Sequence, residues 1–227
     1  MIKINSDDYH DFVIKDGNLI GEYEQMYQKS KNVPWDQHIQ EDWLDVRVTL
    51  ELLKEFSPFD YICDFGMGLG YFLDILCKNY GKPQYRASGY DISQTCCKKA
   101  KELFPYIEVG IMDLTKNNNN NNIIQEDNKK DKIKRLFSLR GILWYVFTNM
   151  ENVVKNIASL TTEGDLLLIS QNFPPLNFDF VGKSVIPNHN TIITWFAKIF
   201  TPLKTIWLED GNSTCNDNWF IGVFRRI

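Results

Sequence analysis

A glycine-rich turn directly after an acidic residue is the feature of this chain with the clearest chemical meaning. Residues 61–70 read Tyr-Ile-Cys-Asp-Phe-Gly-Met-Gly-Leu-Gly. After Asp64, glycines follow at every second position, at Gly66, Gly68 and Gly70. Without a Cβ, a glycine lets the backbone turn sharply and lie close to a ligand. The turn by itself therefore predicts a site for a nucleoside-type cofactor.

The spacing of the glycines separates this turn from the dinucleotide fingerprint G-x-G-x-x-G. In that fingerprint the third glycine would stand where this chain has Tyr71, one residue after Gly70. The carboxylate of Asp64 also suits a ligand with an ammonium group better than one with a pyrophosphate. Nicotinamide-dependent oxidoreduction is therefore the weaker alternative.

Two further acids follow the next two predicted strands. Asp91 comes after the strand predicted at 85–90, and Asp113 comes after the strand predicted at 107–112. In an open α/β sheet, ligands bind at the carboxyl ends of the strands. We therefore expect Asp64, Asp91 and Asp113 to lie side by side around one ligand.

The pattern D-x-G-x-G-x-G, with the two later acids, resembles the first motifs of class I S-adenosylmethionine (SAM)-dependent methyltransferases. The resemblance implies SAM as the cofactor and S-adenosylhomocysteine (SAH) as the product. It implies that Asp64 and the glycine turn hold the methionine portion, and that Asp91 bridges the two ribose hydroxyls. It also implies that Asp113 accepts a hydrogen bond from the adenine amino group, with Ile92 and Met112 beside the ring.

The segment after the fourth predicted strand resembles the part of this family that borders the methionine and the substrate. It begins at Arg140 and contains Trp144 and Tyr145. The resemblance implies that Arg140 pairs with the SAM carboxylate or with an anionic substrate, the alternative being an exposed charge at a strand end. Trp144 and Tyr145 are expected either to line the acceptor site or to pack in the core.

Other candidate acceptor-binding residues lie further away in the chain. Gln171 and Asn172 end the fifth predicted strand, where their amides could orient an acceptor. Tyr27 and Trp35 belong to an aromatic N-terminal segment, which could close over SAM and exclude water. The alternative is that these aromatic side chains only attach the segment to the domain.

Methyl transfer to a hydroxyl usually needs a general base. The chain has three histidines, and His10 is a poor candidate because it lies near the N-terminus. His38 in the N-terminal segment and His189 in the connection after the fifth strand are the candidate bases. The alternative for each is an exposed loop histidine.

Alternating strands and helices predict an α/β fold with a parallel sheet. Strands are predicted at 61–64, 85–90, 107–112, 134–139, 166–171, 203–208 and 219–224, and helices at 42–56, 69–80, 93–104, 149–160 and 191–200. The resemblance implies a seven-stranded, mostly parallel, doubly wound sheet with a C-terminal antiparallel hairpin. Residues 1–41 are predicted to form an N-terminal helical cap, and 42–227 the methyltransferase domain. The low-complexity stretch 116–132, with Asn117 to Asn122, is predicted to be a loop.

Composition restricts the partners. The net charge of −4 and the pI near 5.4 give no electrostatic support for binding nucleic acid. The N-terminus lacks an apolar signal segment and no run is long enough to span a membrane, which predicts a cytoplasmic protein. Five cysteines without a C-x-x-C pair predict free thiols, and no metal site is expected. A monomer and a homodimer are equally compatible with the sequence.

The leading hypothesis is methyl transfer to a small molecule, most simply to a hydroxyl of a sugar or of a nucleotide-linked sugar. The acidic charge and the aromatic cap favour a small metabolite, and the C-terminal half resembles methyltransferases of glycan and capsule gene clusters. The alternatives are N-methylation of an amine or a protein side chain, and a SAM-binding module without activity. Amino-directed nucleic-acid methyltransferases carry an Asn/Asp-Pro-Pro-aromatic motif after the fourth strand, and this chain has none there.

Overall fold

A seven-stranded sheet forms the centre of the protein, whose computed structural model describes residues 9–117, 133–209 and 218–227. The strands in chain order are β1 (Ile14–Lys15), β2 (Asn18–Leu19), β3 (Phe59–Phe65), β4 (Gly81–Asp91), β5 (Glu108–Ile111), β6 (Arg135–Arg140), β7 (Leu166–Phe173), β8 (Phe200–Leu208) and β9 (Asn218–Arg226). The order across the large sheet is β5-β4-β3-β6-β7-β9-β8.

Strands β3 to β7 pair in parallel with one another, whereas β9 runs antiparallel to both β7 and β8. This arrangement confirms the predicted α/β fold with a seven-stranded, mostly parallel sheet and a C-terminal hairpin. The helices are α1 (Tyr23–Lys29), α2 (Leu44–Leu53), α3 (Tyr71–Tyr80), α4 (Gln94–Leu103), α5 (Leu143–Val146), α6 (Met150–Leu160) and α7 (His189–Phe196). Short 3-10 helices cover Tyr9–Phe12, Pro34–Asp42, Lys54–Phe56 and Phe147–Asn149.

Both faces of the sheet are covered by helices, because side chains alternate between the two faces of a strand. In β6, Leu136 packs in a buried cluster with residues of α2 and α3. Its neighbours Phe137 and Leu139 point to the opposite cluster, to which α6 and α7 contribute. Strands buried on both faces read as continuous apolar runs, and β7 has this character in the sequence.

The ends of several elements differ from the sequence prediction. Strand β4 begins at Gly81, four residues before the strand predicted at 85–90, and its pairing with β3 is irregular there. Phe59 pairs with Gly81, and Tyr61 pairs with Arg86. Helix α7 ends at Phe196, four residues earlier than predicted, because Phe200 already belongs to the edge strand β8.

The helix caps follow from local chemistry. The Ser93 side chain accepts a hydrogen bond from the Cys96 N–H at the start of α4, as is typical of an N-cap serine. Asn149 caps α6 in the same way by accepting from the Asn152 N–H. These caps fix where α4 and α6 begin relative to the ends of the strands.

The N-terminal segment packs as a cap over the carboxyl ends of the parallel strands. It consists of the Tyr9–Phe12 turn, the β1–β2 hairpin, α1 and the 3-10 helix Pro34–Asp42. The division of the chain at residue 41 stays a proposal. No helix within the described ranges is long and apolar enough to cross a membrane. The low-complexity stretch, apart from Lys116 and Asn117, lies outside the described residues.

Candidate cofactor and acceptor site

One cavity of about 1160 Å³ opens at the carboxyl ends of β3, β4 and β6 and extends under the cap. Asp64, Asp91 and Asp113 all line it, as expected for acids at three neighbouring strand ends. Pockets for a single small molecule usually measure about 300–1,000 Å³. The cavity is therefore large enough for a nucleoside-type cofactor and a second ligand.

Two glycines of the turn lie closer to neighbouring side chains than a Cβ would allow without a shift. Gly66, Gly68 and Gly70 have φ values of 68°, 56° and 87°, which are strained for residues with a Cβ. A Cβ on Gly66 would lie 2.4 Å from the Ile142 Cγ2, and one on Gly68 would lie 2.4 Å from the Gln37 Oε1. The glycines therefore allow the turn, the cap and the segment after β6 to meet.

Asp64 is a buried carboxyl with one satisfied oxygen. The Ser138 hydroxyl donates to its Oδ1 at 2.6 Å. Its Oδ2 has no hydrogen-bond partner in the described part of the chain. Burial raises the pKa of Asp64 to about 7, with Ser138 and the nearby Arg140 opposing that increase. A cationic ligand group beside Oδ2 would stabilise the ionised form.

Asp91 connects the end of β4 with the glycine turn. Its Oδ2 accepts from the Gly68 N–H at 3.1 Å, and its Oδ1 accepts from the Ser93 N–H at 3.0 Å. Burial raises its pKa, and these backbone hydrogen bonds oppose the increase. Each oxygen keeps a free acceptor direction. The next residue, Ile92, is 46% exposed and presents an apolar surface to the cavity.

Asp113 follows β5 and is held by its own loop. Its Oδ1 accepts from the Thr115 N–H at 2.9 Å and from the Thr115 hydroxyl at 2.6 Å, while Lys116 lies 3.1 Å from Oδ2. Burial alone would raise the pKa of Asp113, but the bonds from Thr115 and Lys116 lower it overall. Met112 and Leu114 are buried on either side and line the cavity.

Arg140 is enclosed rather than exposed at its strand end. Its guanidinium donates to Asp45 Oδ2 from Nη2 at 2.7 Å and from Nε at 3.2 Å, and from Nη1 to Gln40 Oε1 at 2.6 Å. The rings of Trp43 and Trp219 lie 5.6 and 5.1 Å from the charge. Three of the five guanidinium N–H groups are thus used, which leaves two without a partner among the described residues.

The cap is attached to the body through hydrogen bonds at the cofactor end. Glu24 of α1 accepts from the Ser93 hydroxyl at 2.6 Å, the Thr95 hydroxyl at 2.5 Å and the Thr95 N–H at 3.1 Å. These bonds, that from Ser93 first, lower the pKa of Glu24 to about 2. Gln37 accepts from the Leu69 N–H at 2.7 Å and donates to the Tyr27 hydroxyl at 3.3 Å.

Four aromatic side chains form what we call the aromatic row, along the cap side of the cavity. Ring centroids are 5.2 Å apart for Tyr9 and Trp35, 5.7 Å for Trp35 and Tyr145, and 5.7 Å for Tyr145 and Tyr23. All four line the cavity. Trp35 and its neighbour Asp36 have φ values of 52° and 45°. Such non-glycine conformations cost on the order of 1–3 kcal/mol each and cluster at functional sites.

The predicted acceptor residues of the sheet divide into two groups. Trp144 and Asn172 line the cavity, and the Trp144 Nε1–H donates to the Asn172 carbonyl at 2.8 Å. Gln171 is fully buried and does not line it. Its Oε1 accepts from the Leu143 N–H at 2.9 Å, so its amide positions the segment after β6.

The structure brings neither candidate base to the cavity. His38 is exposed on the cap, with its ring 6.5 Å from that of Tyr71. His189 begins α7 and stacks on Trp207 at 4.5 Å, where burial lowers its pKa. His10, whose position near the N-terminus makes it a poor candidate from the sequence, does line the cavity.

Several site residues have no sequence motif that would identify them. Glu24, Gln37, Asp45 and Ser138 reach the site through contacts with residues far away in the chain. Ser138 is a partial exception, because a serine inside a predicted buried strand suggests a polar contact. The other three belong to helical segments whose docking positions are tertiary.

No family model and no curated protein matches the chain. Solved structures do match its fold. N-methyltransferase NodS from Bradyrhizobium japonicum WM9, in complex with SAH, is 15% identical, with 89% of this chain and 97% of that chain covered and a TM-score of 0.62. A SAM-dependent methyltransferase from Anabaena variabilis ATCC 29413 is 16% identical, with 95% and 98% covered and a TM-score of 0.66.

A structure of the [4+2]-cyclase SpnF is also similar, at 9% identity and a TM-score of 0.57, with 79% of this chain and 80% of that chain covered. At these identities the similarity concerns the fold and leaves the reaction to be argued from the site. The chain has the fold of class I SAM-dependent methyltransferases.

Proposed function

We propose that this protein is a SAM-dependent methyltransferase that acts on a small molecule. The observation that carries the proposal is the convergence of Asp64, Asp91 and Asp113 with the glycine turn on one cavity. A binding site for a single metabolite would need less volume, and the acids of a purely structural set would pair with protein cations. Asp64 instead keeps an oxygen without a partner in the parts of the chain that are described.

The residues around the cavity fit each part of the cofactor. Asp64 would take the ammonium group, since burial raises its pKa and a cation beside it removes the cost of ionisation. The two unused N–H groups of Arg140 would take the carboxylate. Asp91 would accept from the ribose diol, and Ile92 and Met112 would cover the adenine while Asp113 accepts from its amino group.

The chemistry assigned to the protein is alignment and exclusion of water. When bound, SAM supplies an electrophilic methyl group on a sulfonium. The cap and the aromatic row would hold an acceptor in line with that group, and proximity of this kind is a large part of enzymatic rate enhancement. The cap also encloses the cavity, which strengthens electrostatic interactions inside it.

Two groups are candidates for the methyl acceptor. A sugar hydroxyl remains the prediction from the sequence, although His38 and His189 lie away from the cavity and do not support a base for it. An amine is the second candidate, favoured by the acidic and aromatic lining described above. A non-catalytic SAM-binding module would bind SAM equally well but form no SAH with any acceptor.

Calorimetric titration with SAH tests the proposal. We expect the wild-type protein to bind SAH, and Asp64→Asn and Asp91→Asn to weaken binding by about 100-fold or more, since each removes a charge-assisted bond worth about 1.5–3 kcal/mol and leaves its partners unpaired. Both variants should keep the wild-type circular dichroism spectrum.

Asp60→Asn is the matched control, because Asp60 belongs to the same strand β3 but pairs with Lys82 at its other end. It should bind SAH like the wild type. Absence of SAH binding to the wild type, or full binding by both site variants, would refute the cofactor assignment.

A further inference from the structure

We propose that the outer half of the cavity binds the acceptor as a cationic amine, so that nitrogen receives the methyl group. This inference rests on the proposed methyltransferase function and names its substrate class. The outer half is the part lined by the aromatic row and by Asp36, which follows Trp35 directly. Its composition differs from that of the cofactor end, where each acid is matched to a part of SAM.

The aromatic row provides a surface that attracts cations. The faces of tyrosine and tryptophan rings carry negative electrostatic potential, and ammonium groups bind against them. The Tyr23 end of the row lies close enough to Asp91 for that carboxylate to raise the pKa of the Tyr23 hydroxyl, after the larger effect of burial. The row therefore leads from Tyr9 to the cofactor end.

The carboxylate beside the aromatic row is unpaired with any cation of the protein. Asp36 is exposed and lines the cavity, and it has no cationic partner within the described ranges. Arg140 is already paired with Asp45. His10 is the one other basic residue among the described lining residues. A cationic acceptor would find a carboxylate beside the row, whereas an anionic sugar nucleotide would be repelled.

Two further observations point to a ligand at this place. The Tyr23 hydroxyl is buried and has no hydrogen-bond partner in the described chain, and an ammonium N–H could donate to it. The backbone of Trp35 and Asp36 is held in the left-handed region, and both residues line the cavity. Strain at adjacent non-glycine residues is a mark of functional sites.

The reaction at nitrogen balances without a protein base. The ammonium first loses a proton to water, and the nitrogen lone pair then forms the bond to the methyl carbon. The bond from that carbon to sulfur breaks, and its electron pair stays on sulfur, which gives SAH. The methylated ammonium releases any excess proton to water, so the positions of His38 and His189 away from the cavity are no obstacle.

A matched pair of probes tests the charge preference. Choline and its neutral isostere 3,3-dimethyl-1-butanol are titrated calorimetrically into the protein saturated with SAH. We expect choline to bind at least about tenfold more tightly, the ratio that corresponds to roughly 1.4 kcal/mol of cation–π and ionic attraction. Asp36→Asn should reduce the choline affinity at least about fivefold and leave the neutral probe unchanged.

Asp11→Asn is the control, because Asp11 is exposed on the same cap, carries the same charge and does not line the cavity. Equal affinities for the two probes, no binding of choline, or equal effects of the two substitutions would overturn the inference. Failure of SAH binding would instead remove the proposed function, so the two failures are distinguishable. Asparagine tolerates the left-handed conformation at position 36, which keeps the variant foldable.

Discussion

Asp64 illustrates how one residue can make ligand binding depend on pH. Its carboxyl is fully enclosed, and its contact on the protein side is the neutral hydroxyl of Ser138. Its ionisation is therefore unfavourable before a ligand arrives, in contrast to Asp113, whose charge is stabilised by Thr115 and Lys116. Within one site, the pKa of Asp64 is thus raised above the ordinary value of an aspartate and that of Asp113 is lowered below it.

The affinity for SAH should rise with pH up to about 7 and then level off. The pKa of Asp64 is raised to about 7, so below that value the free protein must lose a proton before it can pair with an ammonium. Well below pH 7 the dissociation constant should fall about tenfold for each unit of increasing pH. Calorimetry in buffers of different ionisation enthalpy should detect the released proton.

The pH dependence of folding stability has the opposite sign to that of SAH affinity. Because the folded pKa of Asp64 exceeds the unfolded one, the protein without ligand loses stability as pH rises from about 4 to about 7. Asp64→Asn should remove this dependence. A dissociation constant for SAH that does not change between pH 5 and 7 in the wild type would contradict the assignment.

At the scale of elements, the cap and α4 form a unit with the cofactor end. The Ser93 that caps α4 also gives its N–H to Asp91 and its hydroxyl to Glu24 of α1. Gln37 joins the next part of the cap to the glycine turn through the Leu69 N–H. Displacement of the cap would therefore disturb the same backbone that holds the ribose acid.

Glu24→Gln should loosen the cap and speed the release of SAH. In the variant an NH₂ group replaces one carboxylate oxygen and cannot accept a hydrogen bond. At least one of the three bonds from Ser93 and Thr95 is therefore lost. We expect SAH to dissociate about tenfold faster, which corresponds to one charge-assisted bond, and amide hydrogens of Tyr23–Lys29 to exchange faster.

Glu22→Gln is the matched control, since Glu22 precedes the same helix and its side chain makes no capping bond. It should dissociate from SAH at the wild-type rate. Unchanged hydrogen exchange in Glu24→Gln would show that the cap is held by other contacts.

For the whole molecule, local patterns predicted the sheet and its acids well. The strand–turn–helix at Asp64 and the apolar run of β7 are short-range signals, and both are confirmed in the structure. The cap contacts and the environment of Arg140 depend on segments that meet only after folding, so no spacing in the sequence could indicate them. Residue type and chain position predict His38 and His189 as bases, but neither determines which side of a loop faces a cavity.

The sheet also depends on one buried ion pair at the end opposite the cavity. Arg135 begins β6, and its side chain donates to Asp165 at 2.8 and 2.5 Å with both groups almost fully buried. Removing one partner leaves a buried charge, which costs about 3–5 kcal/mol. Asp165→Asn should lower the urea midpoint accordingly while the folded variant binds SAH like the wild type. A loss below about 1 kcal/mol would show that water or another group satisfies Arg135.

The two halves of the cavity come from different stretches of the chain. The proposed cofactor contacts lie between Asp64 and Arg140, whereas the outer half is built by the cap and by Tyr145. A cap taken from another protein with this fold would therefore change the acceptor side, provided that it keeps the bonds of Glu24 and Gln37 to the cofactor end. The proposed contacts of the methyl donor and those of the acceptor thus come largely from separate segments, and new acceptor specificities can be sought by grafting the cap.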